Sequence, residues 1–514
     1  MTAPGLADPL APNVRWGSAR ARWIMLATVL GSGLSMLDST VVNVALPALG
    51  ASLDASLGDL QWVVNGYTLS LAALILLGGS LGDRFGRRRI FVVGVVWFAA
   101  GSLLCGLSPT IDWLIAARIL QGVGGALLVP GSLAIISATF VRSDRARAIG
   151  SWSALAGVAT AAGPLLGGWM VQTIGWRWVF LINLPLAVVV LVVALRHVPE
   201  TSDPSAPRSF DLVGAALGAL GLAALTYALI GAGDGWTPPV VAVGALGVAA
   251  LVAFVLVERR ETHPMLPMDI FASKQFSAAN VVTLLVYAAL GAMFFLLVVQ
   301  LQVVAGFGAL AAGSALLPIT LIMLLLSSAS GQLAERIGPR LPMTVGPLLA
   351  GIGSLLLLRV GPDTSYATDV LPAVTVIGFG LALTVAPLTA TVLAAAEDRH
   401  AGIASGVNNA VARAGGLLAV AAIPVLVGLT GDAYAEPAVF DAGFDRAMII
   451  CSVLFLAGGS LSLLTIRAPL TERADTERAG TGVEAGTSRP AASGPRLHCG
   501  VGAPPLTERS PHQR

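Results

Sequence analysis

Gly79-Ser80-Leu81-Gly82-Asp83-Arg84-Phe85-Gly86-Arg87-Arg88 is matched 252 positions later by Gly331-Gln332-Leu333-Ala334-Glu335-Arg336-Ile337-Gly338-Pro339-Arg340. Glycine, leucine, an acid, arginine, glycine and arginine recur at the same offsets. An internal duplication explains that register more economically than chance does. Each copy lies between long apolar stretches, so the chain reads as two parallel helical halves, each with the same charged turn between two helices.

Composition agrees. Of 514 residues, 56% are hydrophobic and only 11% charged, and the mean hydropathy is +0.83. The sequence repeatedly passes the ~18 consecutive apolar residues that argue a bilayer-spanning helix. The net charge of +2 is spread over alternate loops, which excludes a nucleic-acid surface. Cys105, Cys451 and Cys499 are far apart and form no C-x-x-C metal or redox pattern. The leading segment, with Arg15, Arg20 and Arg22, has no cleavage-type signal, so the first span is expected to act as its own uncleaved signal.

About fourteen spans satisfy the ~20-residue criterion. Six fall between residues 23 and 195, two more are inserted near Leu212–Ile230 and Pro238–Val257, and six complete the set up to residue 466. The expected organisation is an N-terminal arm (1–22), a six-helix bundle (23–195), a linker carrying spans 7 and 8 (196–274), a second six-helix bundle (275–466) and a disordered tail (467–514). The 252-residue offset is then one six-helix repeat lengthened by an inserted pair. Arginine placement tests this separately, because cytoplasmic loops retain basic residues. Of the 30 basic residues, 25 fall in the N-terminus, the even-numbered connections and the tail, so both termini are expected to be cytoplasmic.

Four further segments lie in register with the repeated loop: Leu37-Asp38-Ser39-Thr40-Val41-Val42-Asn43-Val44-Ala45-Leu46-Pro47, Gln61-Trp62-Val63-Val64-Asn65-Gly66-Tyr67, Arg118-Ile119-Leu120-Gln121-Gly122-Val123-Gly124-Gly125-Ala126 and Gly163-Pro164-Leu165-Leu166-Gly167-Gly168. Together with the Gly-x-Leu-x-acid-Arg-x-Gly loop they resemble the major facilitator superfamily, over about residues 20 to 466. The fourteen-span count is similar to its EmrB/QacA-type drug:proton antiporters. The resemblance implies an all-α polytopic membrane protein of the major facilitator fold: two six-helix bundles, with the two inserted helices at the periphery, working by alternating access.

Within that frame the motifs acquire roles. Asp83 ends span 2, with Arg84, Gly86, Arg87 and Arg88 next to it; Glu335 and Arg336 are the counterparts in the second half. One reading is topology anchoring. The other is a gate in which Asp83 pairs with an arginine or with the positive end of a helix from the other bundle, for which the resemblance points to Gly402 at the start of span 13. In span 5, Ala159, Gly163 and Gly167 form a stripe of small residues at steps of four, with Pro164 beside it, suited to close helix approach or kinking. The family reading is a conformational helix of the kind found in exporters.

Charges inside a membrane are costly and mark pathways or relays. Only Asp38, Arg118 and Arg413 lie deep, and Asp38 is the sole deep carboxylate. Span 1 runs outward and span 4 inward, so Asp38, ~22 Å from the cytoplasmic edge, and Arg118, ~8 Å from the outer edge of a ~30 Å core, have matching depths. A static ion pair and a proton-coupling pair both satisfy this. The second is favoured, because the histidines all fall in loops or tails. The only lysine, Lys274, lacks the glycine-rich loop that cradles nucleotide phosphate.

No catalytic residue, metal ligand or cofactor is expected. The candidate substrate contacts are Asn43, Trp62, Asn65, Tyr67, Tyr287, Gln300, Gln302, Asn408, Asn409 and Arg413, which suit an apolar cavity for amphiphilic small molecules. Span 10 carries no acid before Glu335, so neutral or singly cationic substrates are expected. Arg413 could snorkel, bind helix carbonyls or receive an anionic group. The leading expectation is a proton-coupled exporter of drugs or antibiotic-like molecules, functional as a monomer in a bacterial plasma membrane and in contact with lipid, protons and substrate. A metabolite or siderophore transporter of the same fold, and a non-transporting scaffold or sensor, are the alternatives.

Overall fold

The computed structural model describes residues 14–203, 211–261, 264, 266–396, 401–431 and 436–466. Among these residues the only β pairing is an isolated bridge between Val14 and Phe140. Fourteen helices are long and apolar enough to cross a membrane. Spans 1 to 6 are Ala19–Leu53, Leu57–Phe85, Arg87–Gly106, Ile111–Thr139, Arg142–Thr173 and Trp178–His197. The inserted pair, spans 7 and 8, is Leu212–Asp234 and Pro238–Glu258. Spans 9 to 14 are Lys274–Val303, Ala309–Ile337, Arg340–Arg359, Tyr366–Ala394, Ile403–Leu426 and Pro437–Thr465. The arm before residue 14 and the expected tail from 467 lie outside the described residues.

Local chemistry sets where the helices stop. Ser56 and Asp59 form a reciprocal capping box at the start of span 2: each side chain accepts a hydrogen bond from the other's backbone N–H, satisfying groups that helix ends otherwise leave unpaired. Gly86 separates spans 2 and 3 at φ 110°, a left-handed backbone that a β-carbon disfavours. Span 10 is broken into Ala309–Ser314 and Leu317–Ile337. Pro318 explains the break, since it lacks an N–H and crowds the carbonyl four residues earlier, that of Ser314. Span 14 begins at Pro437, ten residues ahead of the apolar stretch. Helix geometry continues through Asp441, Asp445 and Arg446, where hydropathy alone ends the span.

The first bundle has its own core of Ile24, Phe91, Phe98, Ile135 and Phe140 toward the arginine-rich loops. A second core begins with Val41, Leu46, Leu57 and Val63 at the opposite end and continues into Phe295, Leu297 and Ile423 of the other bundle. The halves therefore share buried apolar surface at the end remote from the arginines. Hydrogen bonds join them there as well: Gln61 Nε2 donates to Val420 O at 2.6 Å, Gln302 Nε2 to Val44 O at 3.1 Å and Leu57 N to Gly431 O at 3.1 Å.

Span 5 completes this seal. A β-carbon on Gly168 would lie 2.6 Å from Ala309 O, and one on Gly313 would collide with Pro164 O, so spans 5 and 10 touch backbone to backbone. Gly163 and Gly167 face the other way, onto Thr40 and Val41 of span 1. The inserted pair divides its duties. Span 8 buries only Gly247 and Glu258 and packs on span 7. Span 7 rests on one helix from each bundle, with Ile230 against Gly58 of span 2 and Gly233 against Val425 and Thr430 at the end of span 13.

Candidate functional site

Asp38 lies near the middle of span 1, on the face turned away from the space between the bundles. Its Oδ2 accepts from Arg118 Nη1 at 2.5 Å, and its Oδ1 accepts from Gln121 Nε2 at 2.8 Å and Asn183 Nδ2 at 3.2 Å. Arg118 also donates through Nε to Val63 O at 3.0 Å and through Nη1 to Gln121 Oε1 at 2.7 Å. Ser102 Oγ accepts from both Gln121 and Asn183 while donating to Phe180 O. The guanidinium lies 4.4 Å from the centre of the Tyr67 ring and 5.7 Å from that of Phe180, a cation over aromatic faces. Tyr67 in turn shares a 2.5 Å hydrogen bond with Ser35.

Asp38 is 0% and Arg118 1% exposed. Two charges taken fully out of water are tolerated only with close pairing and with further hydrogen bonds on the remaining polar atoms, and spans 1, 2, 3, 4 and 6 all contribute to this cluster. Gln121, not singled out from the sequence, follows Arg118 by three residues and so shares its helix face, a spacing that could have placed it. Ser102 and Asn183 carried no sequence signal.

A cavity of about 550 Å³ lies between the bundles. It runs from Asn43, Val64 and Val420 beneath the seal toward Thr389 and Ser405 nearer the arginine-rich end. Asn43, Asn65, Tyr287, Asn408, Asn409 and Arg413 are brought together in its wall. Four other candidates lie elsewhere. Tyr67 backs Arg118, Gln300 donates to Val360 O and Asp441 Oδ1, and Gln302 spans the bundles as described. Trp62, with its ring 6.4 Å from that of Tyr227, lines a separate pocket of about 200 Å³ among spans 2, 7 and 13.

At the arginine-rich end, Asp83 Oδ1 is 2.7 Å from Nη2 of Arg87, the first residue of span 3 across the Gly86 turn. Arg88 and Arg89 each place Nε 3.6 Å from Glu200 Oε2, and Arg88 N donates to Glu200 Oε1 at 3.0 Å. Gly86 abuts the same carboxylate, and Arg84 lies over the Phe85 ring. The loop is thus tied to the segment after span 6, a partner the motif did not disclose. No hydrogen bond or ion pair between described residues joins Asp83 to span 13. Glu335 and Arg336 are exposed, and Arg340 Nε donates to Leu463 O at 2.8 Å.

Two six-helix bundles sealed at one end around a central cavity define a multi-pass membrane transporter rather than an enzyme. The sequence profile of the Major Facilitator Superfamily matches residues 28–420, and the chain belongs to that family. Among curated relatives, the tetracenomycin C resistance and export protein of Streptomyces glaucescens is 37% identical over 78% of this chain and 75% of its own length. The puromycin resistance protein of Streptomyces alboniger is 38% identical, covering 81% and 84% respectively. The probable actinorhodin transporter of Streptomyces coelicolor is 35% identical, covering 89% and 82%. Among solved structures, a bacterial homolog of the human lysosomal transporter Spinster, inward-facing and occupied, superposes with a TM-score of 0.63 at 18% identity, over 89% of this chain and 99% of that one. That likeness concerns the fold.

Proposed function

We propose that this chain is a proton-coupled antiporter that exports drugs or antibiotic-like amphiphiles by alternating access, as a monomer in a bacterial plasma membrane with both termini in the cytoplasm. The observation that carries the reading is the pairing of a sealed, single-carboxylate charge cluster with an adjacent, drug-sized cavity. Curated relatives named for antibiotic resistance and export support the substrate class and direction. The arginine-rich loops support the orientation, which makes the end sealed by spans 5 and 10 the outer one and the present state closed to the outside.

In this reading Asp38 is the proton carrier and Arg118 the group that governs it. Among the described residues the donors to Asp38 come from spans 4 and 6, while Arg118 is also held by Val63 O and Tyr67 of span 2. Any shift of span 2 or 4 during rocking alters the grip of Arg118 on the carboxylate, and protonation requires that grip to loosen. The gate role of Asp83 belongs to the outward-open state, in which the arginine-rich ends close and span 13 reaches the loop. Gly163, Pro164 and Gly167 let span 5 move between its two neighbours, span 1 and span 10.

Expression in an efflux-deficient bacterial host, scored on an antibiotic panel with and without a protonophore, tests the reading. Resistance that collapses with the proton gradient is expected. Uptake in place of efflux points to a symporter, and an unchanged panel with no transport in proteoliposomes overturns export.

A further inference from the structure

The chain has two arginines at membrane depth, and their surroundings differ. Arg118 is bound by a carboxylate, an amide and a backbone carbonyl, out of reach of the cavity. Arg413 stands in the cavity wall and donates through Nε to Asn409 Oδ1 at 2.8 Å, and no described residue accepts from its Nη atoms. Among the described residues it is the only charged side chain lining the cavity. A guanidinium there, with its fork open, is satisfied by water or by an anion that arrives with the cargo.

A second feature points the same way. Asn65 is 1% exposed, lines the same cavity, and has an Nδ2 donor with no partner. Asn43, also in this wall, has an unpaired buried Oδ1; unpaired buried amide atoms are costly, so the wall holds one unmet donor and one unmet acceptor beside the positive charge. Phe294, Phe295 and Tyr287 supply apolar and aromatic wall. Among the described residues the one deep carboxylate, Asp38, is 0% exposed and paired with Arg118 behind span 1, out of a cation's reach.

Resting on the export reading above, we propose that this cavity selects amphiphiles carrying an acidic group, a carboxylate or an ionised phenol or enol, which binds the Nη side of Arg413 while the aromatic body lies along the phenylalanine wall. This replaces the neutral or cationic preference drawn from the lack of acids in span 10. An acid-free wall bearing one open arginine repels a cation.

The test uses three probes with a common environment-sensitive fluorophore at fixed neutral pH: dansylglycine, an anion; its methyl ester, neutral; and dansylcadaverine, a cation. With purified protein, dansylglycine is expected to bind roughly tenfold more tightly than the ester, the scale of one charge-assisted hydrogen bond, with the cation weakest. Arg413→Gln removes that preference, and Arg413→Lys restores part of it. Asn409→Asp, which places a carboxylate where an amide already accepts from Arg413, abolishes the preference without removing the arginine and serves if Arg413→Gln does not fold. Equal binding of anion and ester by the wild type, tighter binding of the cation, or an anion preference that survives both Arg413→Gln and Asn409→Asp overturns the proposal. Proton-driven transport of the ester or the cation without anion preference would leave export standing and remove only this inference. Failure of all three probes to bind or move, in protein that also fails the resistance panel, would remove both.

Discussion

Arg118 Nη1 and Asp38 Oδ2, 80 residues apart in sequence, sit 2.5 Å from each other with neither side chain open to solvent. Their contact realises the depth match implied by two antiparallel spans, and it fixes the strongest experiments on this protein.

Asp38→Asn keeps the size of the side chain and still offers one oxygen to Arg118, but it cannot exchange a proton. Uphill transport driven by an imposed pH gradient in proteoliposomes is expected to vanish while probe binding persists. Undiminished pH-driven transport by the folded variant would eliminate Asp38 as the coupling site.

Removing one charge of a buried pair strands the other. Arg118→Ala is expected to cost about 3–5 kcal/mol of stability. The double variant Asp38→Asn with Arg118→Ala should lose less than the sum of the singles, by about 1–3 kcal/mol, in a double-mutant cycle. Melting curves in detergent decide this, and strict additivity would mean the two side chains are not energetically coupled.

The backbone contact between spans 5 and 10 leaves no room for added atoms. Gly313→Leu drives a side chain into the Pro164 carbonyl and should favour the state open at that end. Raised labelling of Asn43→Cys by a membrane-impermeant thiol reagent added outside intact cells is the expected readout, with lowered export. Unchanged labelling would show that the seal lies elsewhere.

Asp83→Asn removes the charge that faces Arg87 at 2.7 Å, a half-buried pairing of small static worth. If the carboxylate closes the arginine-rich end in the opposite state, export should fall several-fold at normal membrane levels. Wild-type export would reduce the loop to topology anchoring.

Reporter fusions after Phe210 and Glu472 should score cytoplasmic and one at Gly431 external. An external C-terminus would overturn the orientation drawn from the arginines.

The fourteen helices were legible because lipid demands an apolar length that soluble helices do not. The deep charges stood out because so few residues at that depth carry one. Amides were less informative. Asn408 donates to Asn280 and Thr283 across a helix interface while lining the cavity, yet Gln300, of similar chemistry, reaches Asp441 because span 14 extends past its apolar stretch. A side chain's face depends on helix rotation and overshoot, which composition does not encode. Asn183 escaped notice for a related reason: a lone amide near the start of the apolar span 6 carries no sign of the face it presents.

Span 7 grips span 2 on one side and the end of span 13 on the other, helices that belong to different halves. Opening the sealed end has to peel span 7 from one of them, whereas a twelve-span transporter of this fold meets no such resistance. The inserted pair is thus a strap laid across the two halves at the end that would have to open.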